Sequence, residues 1–190
     1  MIAACEALAQ TLRTQVFGGE ALRVHVDKRD LQGGAKNWEW IKKGVPLRVE
    51  MGPRDITSRN VAVCRRNLGA KAKEIVGKED FLRNVTDILE EIQANLLARA
   101  TALRDEHTKK LDTLDEFKAF FGPAEDEKGV ASGGFALMHW AGSSDDEDRL
   151  AKEFKTTIRC IPHGDEYEEE GKCFITGKPS SRRVVFAKSY

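Results

Sequence analysis

A short strand-like run in the first third of the chain constrains the fold most strongly. Residues 47–51 alternate apolar and polar side chains, as a half-buried β-strand does. Pro46 stands at the start of this run, where a missing backbone N–H costs little, and Gly52-Pro53 ends it with a turn. The run therefore predicts a strand of defined length whose alternate side chains lie on opposite faces of a sheet.

The same run carries charged side chains at fixed places. Arg48 and Glu50 share one face of the predicted strand, and Arg54 and Asp55 follow directly after its end. Donors and acceptors presented on a rigid strand suit hydrogen bonding to a polar, planar partner such as the edge of an unstacked nucleobase. A local surface ion pair is the alternative explanation for Arg54 and Asp55.

Helical and strand-like patterns alternate around this run. Helical patterns cover residues 2–17, 36–43 and about 78–109, and strand-like patterns cover residues 22–26, 60–65 and 72–76. This order predicts an α/β layer domain over residues 1–110. Because the first helical pattern is already under way at residue 2, we expect the chain to be a fragment of a longer protein.

The second half predicts a smaller α/β domain over residues 111–190. The patterns Thr113-x-x-Glu116 and Ser144-x-x-Glu147 are capping boxes, which open helices. Residues 135–140, 157–161 and 184–187 are expected to form strands. The expected core consists of Phe135, Leu137, Trp140, Ile158, Phe174 and Phe186.

The charges balance over the whole chain but not along it. The 31 Lys and Arg residues equal the 31 Asp and Glu residues. Residues 20–80 hold 14 basic and 9 acidic residues, a net of +5, whereas residues 111–190 hold 11 and 16, a net of −5. A basic first half can bind phosphates locally although the chain as a whole is neutral. Ordinary variation of surface charge is the alternative.

Composition predicts a soluble, cytoplasmic protein. Charged residues make up 33% of the chain, and no apolar run approaches the roughly 20 residues of a membrane span. No secretory signal is visible at the start. The cysteines at positions 5, 64, 160 and 173 show no tight disulfide spacing, which favours a reducing compartment.

Both halves resemble one known family. The run W-E-W-I-K-K-G-V-P-L-R-V-E-M-G-P-R-D, residues 38–55, is similar to the anticodon-binding domain of class II aminoacyl-tRNA synthetases, and most closely to that of the prolyl-tRNA synthetases. The runs G-F-A-L-M-H-W, T-I-R-C-I-P, E-E-G-K-C-F-I-T-G-K-P-S and R-R-V-V-F-A-K-S-Y resemble the extra C-terminal domain of the archaeal and eukaryotic-like members. The resemblance covers nearly the whole chain in this order.

The resemblance implies a function for the whole protein. This chain would be the C-terminal half of a ligase that activates proline with ATP and magnesium and attaches it to tRNA(Pro). The catalytic core lies upstream in the family, so the chain alone is expected to bind RNA weakly, to catalyse nothing and to hold no cofactor. The expected partners are tRNA(Pro), the upstream catalytic domain of the same protein and, at full length, a second copy in a homodimer, with no membrane.

The resemblance also implies a set of RNA contacts. The matching positions approach the two guanines that proline anticodons share, and they are Lys36, Trp38, Arg48, Arg54, Asp55 and Lys71. Arg54 and Lys71 would donate to guanine O6 and N7, and Asp55 would accept from guanine N1–H and N2–H. A tryptophan could supply a stacking face, although Trp40 is expected to belong to the core.

One departure from the family pattern lies beside these residues. Ile41 stands where relatives usually have an acidic residue that could read guanine, so base reading would rest more heavily on Asp55. The same departure keeps an alternative open, namely a free-standing RNA- or protein-interaction module that reuses the anticodon-binding fold.

A second departure concerns zinc. The family's C-terminal domain often holds zinc with four cysteines, and here those places read Ala141, Asp146, Cys173 and Thr176. Structural zinc needs about four N or S ligands, so we expect a degenerate domain without metal. A rearranged set can be imagined, but its Cys160 lies in a strand pattern; that set is His139, Cys160, His163 and Cys173.

The last residue is the final candidate. Tyr190 follows shortly after the apolar run at residues 184–187. In the resembling family the carboxylate of a terminal tyrosine points back toward the catalytic domain. The resemblance therefore implies that Tyr190 helps to organise an active site that this chain lacks, and a well-packed terminus is the alternative.

Overall fold

The chain has a mixed α/β fold, as predicted, and divides into two compact units, Met1–Arg99 and Ala100–Tyr190. The computed structural model describes residues 1–69, 72–122 and 134–188. The expected domain boundary near residue 110 stays a prediction. Within the described residues, no helix combines the length and the apolar character needed to cross a membrane.

The first unit is built around a three-stranded antiparallel sheet. Its elements are α1 (Ile2–Arg13), β1 (Val16–Phe17), β2 (Glu20–Ala21), α2 (Gly33–Lys42), β3 (Leu47–Glu50), α3 (Pro53–Thr57), β4 (Asn60–Arg65), β5 (Glu74–Gly77) and α4 (Lys78–Glu106). The sheet order is β3-β4-β5, and β1 and β2 form a separate hairpin.

One face of this sheet forms the core of the first unit. Val61 and Val63, at alternate positions of β4, are buried against the helices. Leu47 and Val49 of β3 lie on the same face. The helices contribute Leu8 and Leu12 from α1 and Phe81 and Val85 from α4.

Residues 22–26, predicted as a strand, form no strand. Leu22 and Val24 still pack against the core, which explains the alternation in the sequence. A strand also needs a neighbour with which to exchange backbone hydrogen bonds, and alternation does not supply one.

A short helix, α3, follows β3 where only a turn was predicted. Pro53 occupies its first turn, a position that suits the fixed φ of proline. Asp55 is the third residue of this helix, and its Oδ2 accepts a hydrogen bond of 2.8 Å from the backbone N–H of Gly52. This is the bond that the third helical residue makes in a capping box. This bond closes the turn after β3 and fixes the Asp55 side chain.

The second unit is built around the longest strand, β10. Its elements are β6 (Thr108–Lys110), α5 (Leu114–Phe121), β7 (Phe135–His139), α6 (Ser144–Phe154), β8 (Thr156–Cys160), a 3-10 turn (Asp165–Tyr167), β9 (Glu168–Lys172) and β10 (Pro179–Lys188). β10 pairs antiparallel with β7, β8 and β9, and β6 pairs parallel with β7.

Helices α5 and α6 begin with capping boxes, one of them shifted from its predicted place. Thr113 and Glu116 cap α5 as predicted. The cap of α6 is Ser143 with Asp146, one residue earlier than the predicted Ser144 and Glu147. Glu147 instead accepts a hydrogen bond from the backbone N–H of Ile158 at 3.1 Å, so its carboxylate links the helix to β8.

An aromatic cluster forms the core of the second unit. The ring of Phe117 lies between 4.8 and 5.7 Å, centroid to centroid, from four other rings. These four belong to Phe121, Phe154, Phe174 and Phe186. Two residues of the expected core lie outside this cluster, since Phe135 is 40% exposed and Leu137 is buried elsewhere.

A buried arginine joins several elements of the second unit. Arg183 in β10 is 4% exposed and makes five hydrogen bonds, which matches the five N–H donors of a guanidinium. The acceptors are the carbonyls of Leu111 and Leu137 and the carboxylates of Asp112 and Glu169. Hydrogen bonds from Arg183 and Lys110 lower the pKa of Glu169 from 4.5 to about 2.

We predict that Arg183→Met destabilises the second unit by about 1–3 kcal/mol, because the carbonyls of Leu111 and Leu137 and two carboxylates lose their hydrogen bonds to the guanidinium. The folded-state pKa of Glu169 is lowered, so its carboxylate stabilises the fold above pH 4.5 and this contribution is lost as the pH falls toward 2. Hydrogen exchange of Phe135–His139 amides should therefore show a larger difference between wild type and variant at about pH 7 than at about pH 3. Equal protection in both proteins at both pH values would contradict this role.

The place of the family's zinc site keeps one cysteine in this chain, Cys173. Cys173 is buried, and burial raises the pKa of its thiol, but hydrogen bonds from Thr176 and from the backbone N–H groups of Ala141, Thr176 and Ile175 bring the pKa below its ordinary value. His139 is buried, whereas Cys160 and His163 are exposed. No group of three His, Cys, Asp or Glu residues that could hold a metal is present among residues 1–69, 72–122 and 134–188.

We predict that the second unit folds without zinc, because Ala141, Asp146 and Thr176 stand at three of the four places where the family has cysteine ligands, and structural zinc needs about four. Purified, tag-free protein should contain well under one zinc ion per chain, and a chelator should leave its thermal unfolding midpoint unchanged. Zinc that is close to stoichiometric and survives dialysis, with a lower midpoint after chelation, is the opposing result.

Candidate nucleic-acid interface

The face of the β3–β5 sheet opposite the core carries the polar candidates. Arg48 pairs with Cys64 and Glu50 with Ala62 in the register of β3 on β4. Because side chains alternate along a strand, Arg48 and Glu50 lie on the face away from Val61 and Val63. The sequence-based prediction that Arg48 and Glu50 share a face is confirmed.

Helix α2 is bound to this face through Asn37. The Asn37 side-chain amide donates to Glu50 Oε1 at 3.0 Å, and its backbone carbonyl accepts a longer bond of 3.5 Å from the Arg48 guanidinium. The segment before β5 is bound to the same carboxylate, since Lys73 Nζ donates to Glu50 Oε2 at 2.6 Å.

Electrostatics reinforces the Glu50–Lys73 pair. Burial raises the pKa of Glu50, but hydrogen bonds from Lys73 and Asn37 and the charges of Lys73 and Arg48 bring it below its ordinary value. The pKa of Lys73 is raised, first by its hydrogen bond to Glu50 and also by the charge of Asp55. Both groups are therefore ionised at neutral pH.

The side chains of Arg54 and Asp55 differ in how firmly their surroundings fix them. Asp55 is half-buried and its Oδ2 accepts from Gly52, which leaves Oδ1 for another donor. Arg54 is exposed, and its guanidinium makes no ion pair within the described parts of the chain. The alternative of a local ion pair between these neighbours is therefore not what the structure shows.

The two tryptophans of α2 have different surroundings. Trp38 is 60% exposed, so its ring is accessible to a partner. Trp40 is half-buried, and its indole N–H donates to Asp27 Oδ2 at 2.9 Å. The cation of Lys43 lies 4.4 Å from the Trp40 ring centroid and the His25 ring 4.9 Å from it.

Trp40 thus anchors α2 to residues 25–29 through polar and aromatic contacts, although it lies outside the hydrophobic cluster of the first unit. Its partner Asp27 has a pKa well below the usual value, first because of hydrogen bonds from Arg29 and then because of the Trp40 indole. A ring held in this way is not free to stack on a base.

Lys36 points toward the same segment. Its ammonium lies 3.4 Å from the Asp27 carbonyl oxygen and 4.0 Å from the carboxylate. Lys36 therefore lies beside Asp27, which is also the hydrogen-bond partner of Trp40. Lys71 lies outside the described residues.

Sequence reasoning missed the parts played by Asn37 and Lys73. Neither belongs to a recognisable motif, and the bonds to Glu50 span 13 and 23 residues of sequence. The only indication in the sequence is that Glu50 shares a face with Arg48, which places a carboxylate beside any donor above that face.

Comparison with known families divides the chain in two. The anticodon binding domain family matches residues 1–88. The family described as prolyl-tRNA synthetase, C-terminal, matches residues 125–190.

Individual relatives match over nearly the whole chain. Proline–tRNA ligase of Protochlamydia amoebophila is 46% identical over 97% of this chain and 36% of its own length. Proline–tRNA ligase 2 of Anaeromyxobacter dehalogenans is 45% identical over 100% of this chain and 38% of its own length. The proline–tRNA ligase of Akkermansia muciniphila is 44% identical over 98% of this chain and 36% of its own length.

The chain thus spans little more than a third of the length of the curated relatives it matches. Both family domains occur in the same order as in the resemblance drawn from the sequence, and the identity extends along the whole chain. The chain belongs to the prolyl-tRNA synthetase family and corresponds to its C-terminal part, an anticodon-binding domain followed by the family's C-terminal domain.

Proposed function

We propose that this chain recognises the anticodon of tRNA(Pro) as part of a proline–tRNA ligase. The observation that carries the proposal is the start of α3, directly after β3. There the Arg54 guanidinium, which has no ion pair among the described residues, follows the turn closed by the carboxylate of Asp55. Family membership supplies the kind of partner that such a donor and acceptor would read.

The chemistry of guanine suits this pair. Arg54 has donors for guanine O6 and N7, and Asp55 Oδ1 can accept from N1–H and N2–H. Arg48 and Lys71 would add positive charge, and the exposed ring of Trp38 would offer a stacking face worth about 1–3 kcal/mol per base. Lys36 belongs to the same proposed contact set.

The rest of the proposal concerns the longer protein. It would attach proline to tRNA(Pro) using ATP and magnesium bound in an upstream catalytic domain, and it would act as a homodimer. We assign no catalytic residue to this chain. A cytoplasmic location follows from the proposed reaction, since charged tRNA is used by ribosomes there.

We predict that Arg54→Ala and Asp55→Ala each lower kcat/KM for charging of tRNA(Pro) by the full-length enzyme. One lost bidentate base contact corresponds to about 1–3 kcal/mol, or about 5- to 150-fold. Proline-dependent ATP–pyrophosphate exchange should stay unchanged, because it does not need tRNA.

A matched control is Arg83→Ala, since Arg83 is an exposed arginine on α4, which packs on the opposite face of the sheet. Unaltered charging in both interface variants would remove them from the recognition site. It would then favour the alternative, an interaction module that reuses the fold without reading proline anticodons, to which Ile41 already points.

Tyr190 lies outside the described residues, and its role is a separate part of the proposal. A terminal carboxylate near a site that handles a cationic amine could order that site by charge and hydrogen bonding. We predict that deleting Ser189 and Tyr190 from the full-length enzyme lowers proline-dependent ATP–pyrophosphate exchange while tRNA binding changes little. Normal exchange in the deletion variant would reduce the terminus to a packing role.

A further inference from the structure

Glu50 connects three segments of the first unit. It lies in β3, one carboxylate oxygen accepts from Asn37 of α2, and the other accepts from Lys73 before β5. Both contacts lie on the sheet face that also carries Arg48. The residue after Asn37 is the exposed Trp38, and Lys73 lies two residues beyond Lys71 in the sequence.

A carboxylate at this place has an electrostatic cost. A negative charge on a surface that faces RNA repels phosphate and weakens binding. About 36% of the Glu50 side chain is exposed, so solvent screens its charge only in part. If repulsion were its only effect, removing the charge would strengthen RNA binding.

We infer that Glu50 is a positioning residue of the anticodon-binding surface, which holds both α2 and the segment before β5 on the sheet face that carries Arg48. This inference rests on the proposed function. Glu50 acts through the groups that it holds. The Asn37 bond sets the place of α2 and therefore of Trp38, and the Lys73 bond sets the place of the described segment that enters β5.

The test is Glu50→Gln in the full-length enzyme. Glutamine has nearly the same shape, but it has one acceptor oxygen, so it cannot hold Asn37 and Lys73 together. We expect KM for tRNA(Pro) to rise about three- to tenfold, the loss of one hydrogen bond, with kcat and proline-dependent pyrophosphate exchange unchanged.

Base discrimination separates positioning from a general loss of folded enzyme. The ratio of kcat/KM for native tRNA(Pro) to that for a transcript with both anticodon guanines replaced should fall in Glu50→Gln. A smaller folded fraction lowers both values equally and leaves the ratio intact, an outcome that would overturn the inference.

The matched control is Glu74→Gln. Glu74 lies in β5 of the same sheet, but it pairs with Val63 and therefore lies on the face opposite Glu50, where its ion pair is with Arg65, 3.5 Å away. Removing this charge should leave tRNA binding unchanged or make it slightly tighter. Tighter binding in Glu50→Gln would show that Glu50 only repels RNA and would contradict the inference.

A second variant covers the case in which Glu50→Gln does not fold. Asn37→Ala removes the α2 side of the bridge without changing any charge, and it should raise KM for tRNA(Pro) by a similar factor. In the double variant the two effects should be less than additive, because both break one contact. Full additivity, or an unchanged KM in Asn37→Ala, would overturn the inference.

The Arg54→Ala enzyme distinguishes this inference from the proposed function. If Arg54→Ala impairs charging and Glu50→Gln does not, the proposed anticodon-binding function is retained and only the positioning role of Glu50 is refuted. If neither variant has an effect, the proposed function itself fails.

Discussion

The register of β3 against β4 is the constraint on which the proposed interface depends. Because side chains alternate, Leu47 and Val49 reach the core only in a register that sends Arg48 and Glu50 to the opposite face. A slip of one residue would bury two charges and expose two aliphatic side chains. The hydrophobic core on one face of the sheet thus determines the positions of the charges on the other.

Elements with a strong local pattern were predictable. The apolar run of β4 and the capping box of α5 place both elements from a few neighbouring residues. The acidic strand β9 was not predicted, because it has no apolar pattern. Its position comes from pairing with β10, where Arg182 and Arg183 form ion pairs with Glu168 and Glu169.

The sequence predicted the contact residues of the proposed interface, but not the hydrogen bonds that hold the surrounding segments in place. The run after Gly44 identified Arg48, Arg54 and Asp55, since they belong to one strand and the turn that follows. The anchoring of Trp40 by Asp27 and the bridge from Asn37 to Lys73 depend on segments that are distant in sequence. Such contacts follow from the tertiary fold and leave no local pattern.

Several cations around this interface already have an acidic partner among the described residues. Arg29 pairs with Asp27 and Glu39, and Lys73 pairs with Glu50. A lysine or arginine that is neutralised internally releases few counterions when RNA approaches, whereas the unpaired Arg54 can neutralise a phosphate or a base edge directly. The salt dependence of RNA binding will therefore follow the few free cations, and the simple count of basic residues in this unit overstates its attraction for phosphate.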